Sequence, residues 1–186
     1  MRTESQTQFA ILGLLQQHGP MSGYDLKQRV DESIGHFWRE GWGRIYPTLR
    51  SLEKAGMVTK RTERKRGRPE RKVYSIRPAG RKRLREWLGH GVTPEVYRSE
   101  ILLKLFFGRV AGAEVSRAHV ERFRTRLVTE IATYGEVLRK IDEGAVRHPD
   151  APFWKMTLSY GLHRSSALKE WAEETLTALE GTGTRG

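Results

Sequence analysis

Residues 44–76 read RIYPTLRSLEKAGMVTKRTERKRGRPERKVYSI. Ile45, Leu49 and Leu52 fall at i, i+4 and i+7, so the spacing predicts a helix from about Arg44 to Ala55, with Gly56 as its stop. Met57 to Thr62 carries the β-branched residues of a strand, and Lys65-Arg66-Gly67-Arg68-Pro69 has turn chemistry. Arg71 to Ile76 then reads as a return strand with Tyr74 and Ile76 on one face.

Upstream, Phe9, Ile11, Leu12, Leu14 and Leu15 indicate a first helix starting near Ser5 and ended by His18-Gly19-Pro20. Ser22 is a good N-cap for a second helix through Tyr24, Leu26 and Val30. Segment 33–43, SIGHFWREGWG, reads as a loop with buried aromatic anchors. Downstream, Pro78 opens a fourth helix carrying Leu84, Trp87 and Leu88. Helix, helix, helix, hairpin, helix is the order of a winged helix-turn-helix.

The second half reads as helical. The expected class is therefore mainly α with a small β-hairpin: a DNA-binding winged helix-turn-helix over residues 1–90 and a helical dimerisation domain, also the candidate sensor, over 91–186, joined by a hinge at Gly89–Glu95. Ile101, Leu102, Leu105, Phe106 and Phe107 make a strongly apolar helix. In residues 113–142, Val120, Leu127, Tyr134 and Ile141 repeat every seven, with Ile131 and Leu138 between them. A turn at Arg147–Asp150, with Asp150 as helix cap, precedes a last helix from about Pro152 to Leu179. There Trp154, Gly161, Leu168 and Thr175 share one heptad position, and Leu158, Ser165, Ala172 and Leu179 the other. These seams are expected to hold two chains together, with small Gly161, Ser165 and Ala172 allowing close approach of another helix.

Charge separates the halves. Residues 1–90 hold 20 Lys/Arg against 9 Asp/Glu, and residues 91–186 hold 14 against 13. Residues 60–85 alone carry 13 basic and 2 acidic side chains. Such density repels itself unless a polyanion neutralises it, and nucleic acid is the first candidate. The whole chain, 186 residues at net +12, has enough aromatic and aliphatic residues for a packed core. It has no Cys, which excludes disulfide scaffolds, thiol nucleophiles and zinc ribbons. No pair among His18, His36, His90, His119, His148 and His163 has metal-ligand spacing, and there is no phosphate loop or nucleophile elbow. Neither an enzyme nor a cofactor or metal is expected. No apolar run is long enough to span a membrane and the first residues lack signal-peptide features, so a cytoplasmic protein is expected.

With Ile45, Leu49 and Leu52 turned inward, Pro47, Arg50 and Lys54 face out, flanked by Arg44, Tyr46 and Ser51. Such a face fits the major groove, where an arginine fork pairs with guanine O6 and N7. Ser22, at a helix N-terminus, suits a phosphate or serves as an ordinary cap, and nearby Tyr24 is a further candidate DNA contact. Arg66-Gly67-Arg68-Pro69 resembles the core of an AT-hook and, with Arg64, Lys65 and Arg71, would place the hairpin tip near the minor groove. Trp87, Tyr97, Phe106, Phe107 and Trp154 are candidate walls of a pocket for a small hydrophobic effector, or plain core.

Several segments together resemble PadR-family transcriptional regulators: Ile11-Leu12-Gly13-Leu14-Leu15, Gly19-Pro20-Met21-Ser22-Gly23-Tyr24-Asp25-Leu26, Ile45-Tyr46-Pro47-Thr48-Leu49, Leu52-Glu53-Lys54-Ala55-Gly56-Met57-Val58 and Gly67-Arg68-Pro69-Glu70-Arg71-Lys72-Val73-Tyr74. The stretch Glu100-Ile101-Leu102-Leu103-Lys104-Leu105-Phe106-Phe107 is similar to the longer members, related to virulence-gene activators. The resemblance implies a homodimer held by C-terminal helices that binds an inverted repeat in a promoter, usually to repress it. Some members answer to phenolic acids or other hydrophobic molecules. The alternatives are an activator of the virulence type or a non-specific architectural DNA-binding protein. One departure is Arg77, where the family usually has Thr. Arginine cannot accept from the N–H groups of the helix that Pro78 opens, so a weaker cap is expected.

Overall fold

The computed structural model describes residues 5–35, 37–38, 41–63, 70–94, 96–144 and 147–182. The elements are α1 (Gln6–His18), β1 (Met21–Ser22), α2 (Gly23–Glu32), α3 (Trp42–Lys54), β2 (Val58–Glu63), β3 (Arg71–Ile76), α4 (Pro78–Leu88), α5 (Glu100–Phe106), α6 (Gly108–Ala111), α7 (Ala113–Asp142) and α8 (Ala151–Thr182). The chain divides into two compact units, Met1–Pro94 and Glu95–Gly186. Among the described residues no helix is long and apolar enough to cross a membrane.

In the first unit the apolar stripe of α1 is fully covered: Ile11, Leu12 and Leu15 meet Leu26 and Val30 of α2, Ile45 and Leu49 of α3, and Tyr74 of β3 in one core. Gly19, at φ 80°, ends α1 with its N–H donating to the Leu15 carbonyl, in a backbone region that favours glycine. Phe9 of α1 stacks on Trp87 of α4, ring centroids 4.4 Å apart, which seals α4 onto α1. Leu88, one residue on, is two-thirds exposed. Of the loop expected to carry buried anchors, Phe37 is exposed while Trp38 is half-buried.

The hairpin gains a strand that the sequence reading lacks. β3 is central, flanked by β2 and by the two-residue β1, all antiparallel. Val58 pairs with Ile76 and Glu63 with Arg71, while Met21 and Ser22 pair with Tyr74 and Val73. β1 escapes the period-two pattern because two residues cannot show it, and because Ser22 also serves as the N-cap of α2. α3 begins at Trp42, earlier than the apolar spacing indicates, with Gly41 as its cap.

At α4 the cap position is Arg77, which makes no side-chain hydrogen bond to the helix start. Arg77→Thr supplies the missing acceptor, and it is expected to raise the unit's stability by about 1 kcal/mol in a urea titration. No gain would show that solvent already serves those N–H groups equally well.

In the second unit α7 and α8 run antiparallel. Arg117 pairs with Glu180 at 3.4 Å, Ser165 Oγ donates to Glu130 Oε2 at 3.1 Å, and Lys155 pairs with Asp142. Val120, Leu127 and Tyr134 of α7 are buried, as are Leu158, Ser165 and Ala172 of α8. The Tyr134 ring lies where a Cβ on Gly161 would come within 3.0 Å of it. The helix that approaches the small residues is thus α7 of the same chain. Part of each heptad seam expected between chains is covered within one chain, while Ile131, Leu138, Ile141, Trp154, Leu168, Thr175 and Leu179 stay only partly buried. What stays exposed is a different apolar set, including Leu103 and Phe106 on α5, Phe107 between the helices, Val110 on α6, and Phe153, Met156 and Tyr160 on α8. At the turn into α8, the Asp150 carbonyl accepts from the N–H groups of Phe153 and Trp154, and its own N–H donates to His148 Nδ1 at 3.1 Å.

Candidate nucleic-acid interface

α3 has two chemically distinct faces. Ile45, Leu49 and Leu52 are buried, and Arg44, Tyr46, Pro47, Arg50, Ser51 and Lys54 are exposed. Pro47 lies within the helix, in its second turn. Tyr46 leans back over the start of α2: a Cβ on Gly23 would come within 2.5 Å of its ring. Only glycine there lets the ring lie so close.

Beside this face is a groove of about 870 Å³, lined by Ser22, Tyr24, Tyr46, Arg50 and Arg71 and by residues the sequence reading did not assign to the DNA interface, among them Lys60, Lys72 and Tyr74. These additions come from the sheet. Lys60 stands opposite Tyr74 in the β2–β3 ladder, and Lys72 opposite Thr62, so two cations and a phenol meet α3 and the start of α2. Nothing in the linear sequence distinguishes Lys60 and Lys72 from their basic neighbours; the strand register selects them.

Two of the cations here, Lys60 and Arg71, are held by carboxylates. Lys60 Nζ donates to Glu53 at 3.0 Å, a bond that favours its charged form. Arg71 pairs with Asp25. Asp25 also accepts from the Ser22 N–H at 2.9 Å and from Ser22 Oγ at 3.0 Å, while its own N–H donates to Ser22 Oγ at 3.2 Å. This reciprocal capping box fixes the first turn of α2. Ser22 is buried and its hydroxyl is engaged in the cap, so it shapes the edge of the groove. Burial also keeps the Tyr74 phenol neutral beyond the ordinary tyrosine range.

Burial pushes the Asp25 carboxyl up, but the Ser22 bonds and the Arg71 guanidinium outweigh it and hold the group below the usual aspartate range. A carboxyl lowered on folding contributes stability that is present above its unfolded value and is lost as pH falls through its folded one. The N-terminal unit is expected to weaken in acid over that interval, and Asp25→Asn to flatten this part of a stability-against-pH profile. An identical profile in the variant would contradict the assignment.

Arg64, Lys65, Arg66 and Arg68, at the expected wing tip, lie outside the described residues. The five aromatic residues taken as pocket walls are divided between the two units. Trp87 is the partner of Phe9 in the core of its own unit. Tyr97 lines one cavity of the second unit and Phe107 another. Phe106 is 83% exposed, and Trp154 stacks on His148 at 4.5 Å. Aromatic content marked these positions, but which ring shares a cavity with which is a tertiary matter.

Comparison with known proteins places this architecture. The model of the transcriptional regulator PadR-like family matches residues 11–86, and that of the virulence activator alpha C-terminal domain matches residues 97–180. The chain belongs to the PadR-like family of transcriptional regulators. This PadR-like chain is 28% identical to the negative transcriptional regulator PadR of Bacillus subtilis over 177 residues, 92% of this chain and 96% of that one. The crystal structure of B. subtilis PadR in complex with operator DNA is similar with a TM-score of 0.79 at 26% identity, covering 94% of this chain and 99% of that one. The Vibrio cholerae virulence activator AphA is similar with a TM-score of 0.73 at 27% identity, covering 94% and 98%. B. subtilis PadR has also been crystallised with p-coumaric acid, a structure similar at 0.67 with 27% identity, covering 95% and 99%.

Proposed function

We propose that this PadR-like chain is a sequence-specific repressor that binds an inverted-repeat promoter site as a homodimer. The observation that carries the reading is the exposed face of α3, with Arg44, Pro47, Arg50, Ser51 and Lys54 clear of the core and Tyr46 fixed against Gly23. Arg50 reads a base edge from the major groove. Lys54, Lys60, Arg71 and Lys72 sit against phosphates, with Lys60 and Arg71 exchanging Glu53 and Asp25 for the DNA backbone. Ser22 and Tyr24 set the N-terminus of α2 toward a phosphate. Arg64, Lys65, Arg66 and Arg68 reach the minor groove. The likeness to B. subtilis PadR, a negative regulator with an operator-bound structure, supports repression. The protein acts where the chromosome is, in the cytoplasm. The likeness to AphA favours activation as the second reading, and a promoter–reporter fusion separates the two by the sign of its response.

One recognition helix covers only a few base pairs, and a two-fold pair about 34 Å apart covers two half-sites one turn of DNA apart. The apolar residues left exposed on α5, α6 and α8 supply the surface for a second copy. Sedimentation velocity is expected to give twice the 21.4 kDa chain mass at micromolar concentration. A 21.4 kDa species under those conditions would contradict the dimer. Selection from random DNA is expected to yield a two-fold symmetric consensus; recovered sequences with no shared motif would indicate an architectural protein instead. A small effector acting on this dimer is part of the same reading, supported by the p-coumaric acid complex of B. subtilis PadR.

A further inference from the structure

A cavity of about 430 Å³ lies among α5, α7 and α8, wholly within the second unit. Its apolar side is formed by Ile101, Phe123 and Leu168. Ile101 and Phe123 pack on the Val120, Ala172 and Leu176 core. Phe123 is further fixed edge-on by Trp171 at 5.8 Å and by the Arg126 guanidinium 5.1 Å over its ring. The apolar side is therefore preformed.

The rest of the lining is strongly basic. Arg98, Lys104, Arg122, Arg126 and Arg164 line the cavity with a single carboxylate, Glu100. This happens in a half of the chain whose Lys/Arg and Asp/Glu nearly balance at 14 and 13. Glu100 is engaged by Lys104 at 2.8 Å. Among the described residues the only carboxylate partner of Arg126 is Glu130, at a loose 3.7 Å. Arg122 Nη2 donates to His119 Nδ1 at 2.9 Å, an imidazole and not an anion. Arg98 and Arg164 have no carboxylate partner among the described residues. Clustered guanidinium groups on one cavity repel one another, and an oxyanion relieves that repulsion with charge-assisted, often bidentate hydrogen bonds. A concave site with an apolar wall and few convergent polar groups is the usual form of a small-molecule site.

We propose that this cavity binds a small organic anion: a flat apolar body against Ile101, Phe123 and Leu168, and a carboxylate or phosphate head held by Arg122 and Arg164. The occupant ties α5 to α7 and α8. Only its role as effector rests on the regulatory reading above; binding itself does not, and it is measured without DNA.

The test is calorimetry on the full chain with 2-naphthoate, 2-naphthyl phosphate and the uncharged 2-naphthamide. At least one of the two anions is expected to bind about tenfold or more tighter than the amide. Arg122→Ala and Arg164→Ala, both at exposed positions, are each expected to weaken that anion by about tenfold, with circular dichroism unchanged. Arg139→Ala, on α7 in the Glu136–Glu143 ion-pair cluster and outside the cavity lining, is expected to leave it unchanged. Equal binding of anion and amide, equal losses in all three variants, no loss in the two cavity variants, or no binding of either anion at millimolar concentration would each overturn the proposal.

Discussion

Replacing Arg50 with alanine is expected to weaken binding to the native promoter duplex by about 1–3 kcal/mol. Binding to a scrambled duplex should change far less. Arg50 is exposed on α3 while Ile45, Leu49 and Leu52 form its buried face, so removing it takes nothing from the core. Its guanidinium is planar and fork-shaped, matched to guanine O6 and N7, and lysine at the same position would not reproduce that geometry. Arg50→Lys should therefore recover charge without recovering specificity. The comparison with Lys54→Ala sharpens the point. A phosphate contact contributes to all sequences alike, so its loss should weaken both duplexes together and reduce the salt slope by about one unit. Were Arg50→Ala to weaken both duplexes equally, Arg50 would be a backbone contact and base readout would have to be sought in Arg44 or Ser51.

The second large effect concerns the fold that carries α3. Gly80→Val is expected to cost the N-terminal unit about 3 kcal/mol. Gly80 lies in the first turn of α4, and a Cβ there would meet the Met57 carbonyl oxygen at 2.4 Å, Ile76 Cγ1 at 3.0 Å and Leu12 Cδ2 at 3.1 Å. The first of these is backbone and cannot swing away. The same Met57 carbonyl accepts from the Arg77 N–H at 2.9 Å, so moving it loosens the junction of β2, β3 and α4 together. Urea unfolding followed by the near-ultraviolet signal of the stacked Phe9 and Trp87 rings reads this junction directly. A variant as stable as the parent would mean that α4 can slide away from β2 without loss, contrary to the packing described.

The apolar periodicity of α1, α3 and α7 was readable because long amphipathic helices repeat their signal several times. The stop at Gly19 and the Ser22 cap were equally plain, each being a local chemical requirement. The third strand was not, since Met21 and Ser22 form it only by pairing with Val73 and Tyr74 far along the chain. The same limit applies to the interface. Outward residues of α3 follow from helical geometry alone, whereas Lys60, Lys72 and Tyr74 enter the groove through strand register, and Gly23 through its fit under Tyr46. In the second unit the heptads were legible but not their partner: Gly161, Ser165 and Ala172 signal close helix approach without saying whose helix approaches. The aromatic residues meet a related limit. Trp87 and Trp154 are rings that stack locally, on Phe9 and on His148, and composition cannot tell such a ring from a ligand wall.

The central claim is specific recognition of promoter DNA, and fluorescence anisotropy tests it most directly. The purified protein is titrated onto the duplex upstream of its own coding sequence and onto a scrambled duplex of equal composition, both at physiological salt. The account predicts binding to the native duplex at least ~10³ tighter than to the scrambled one. Equal affinity for both, falling steeply as salt is raised, would contradict it and leave a protein that holds DNA through its phosphates alone.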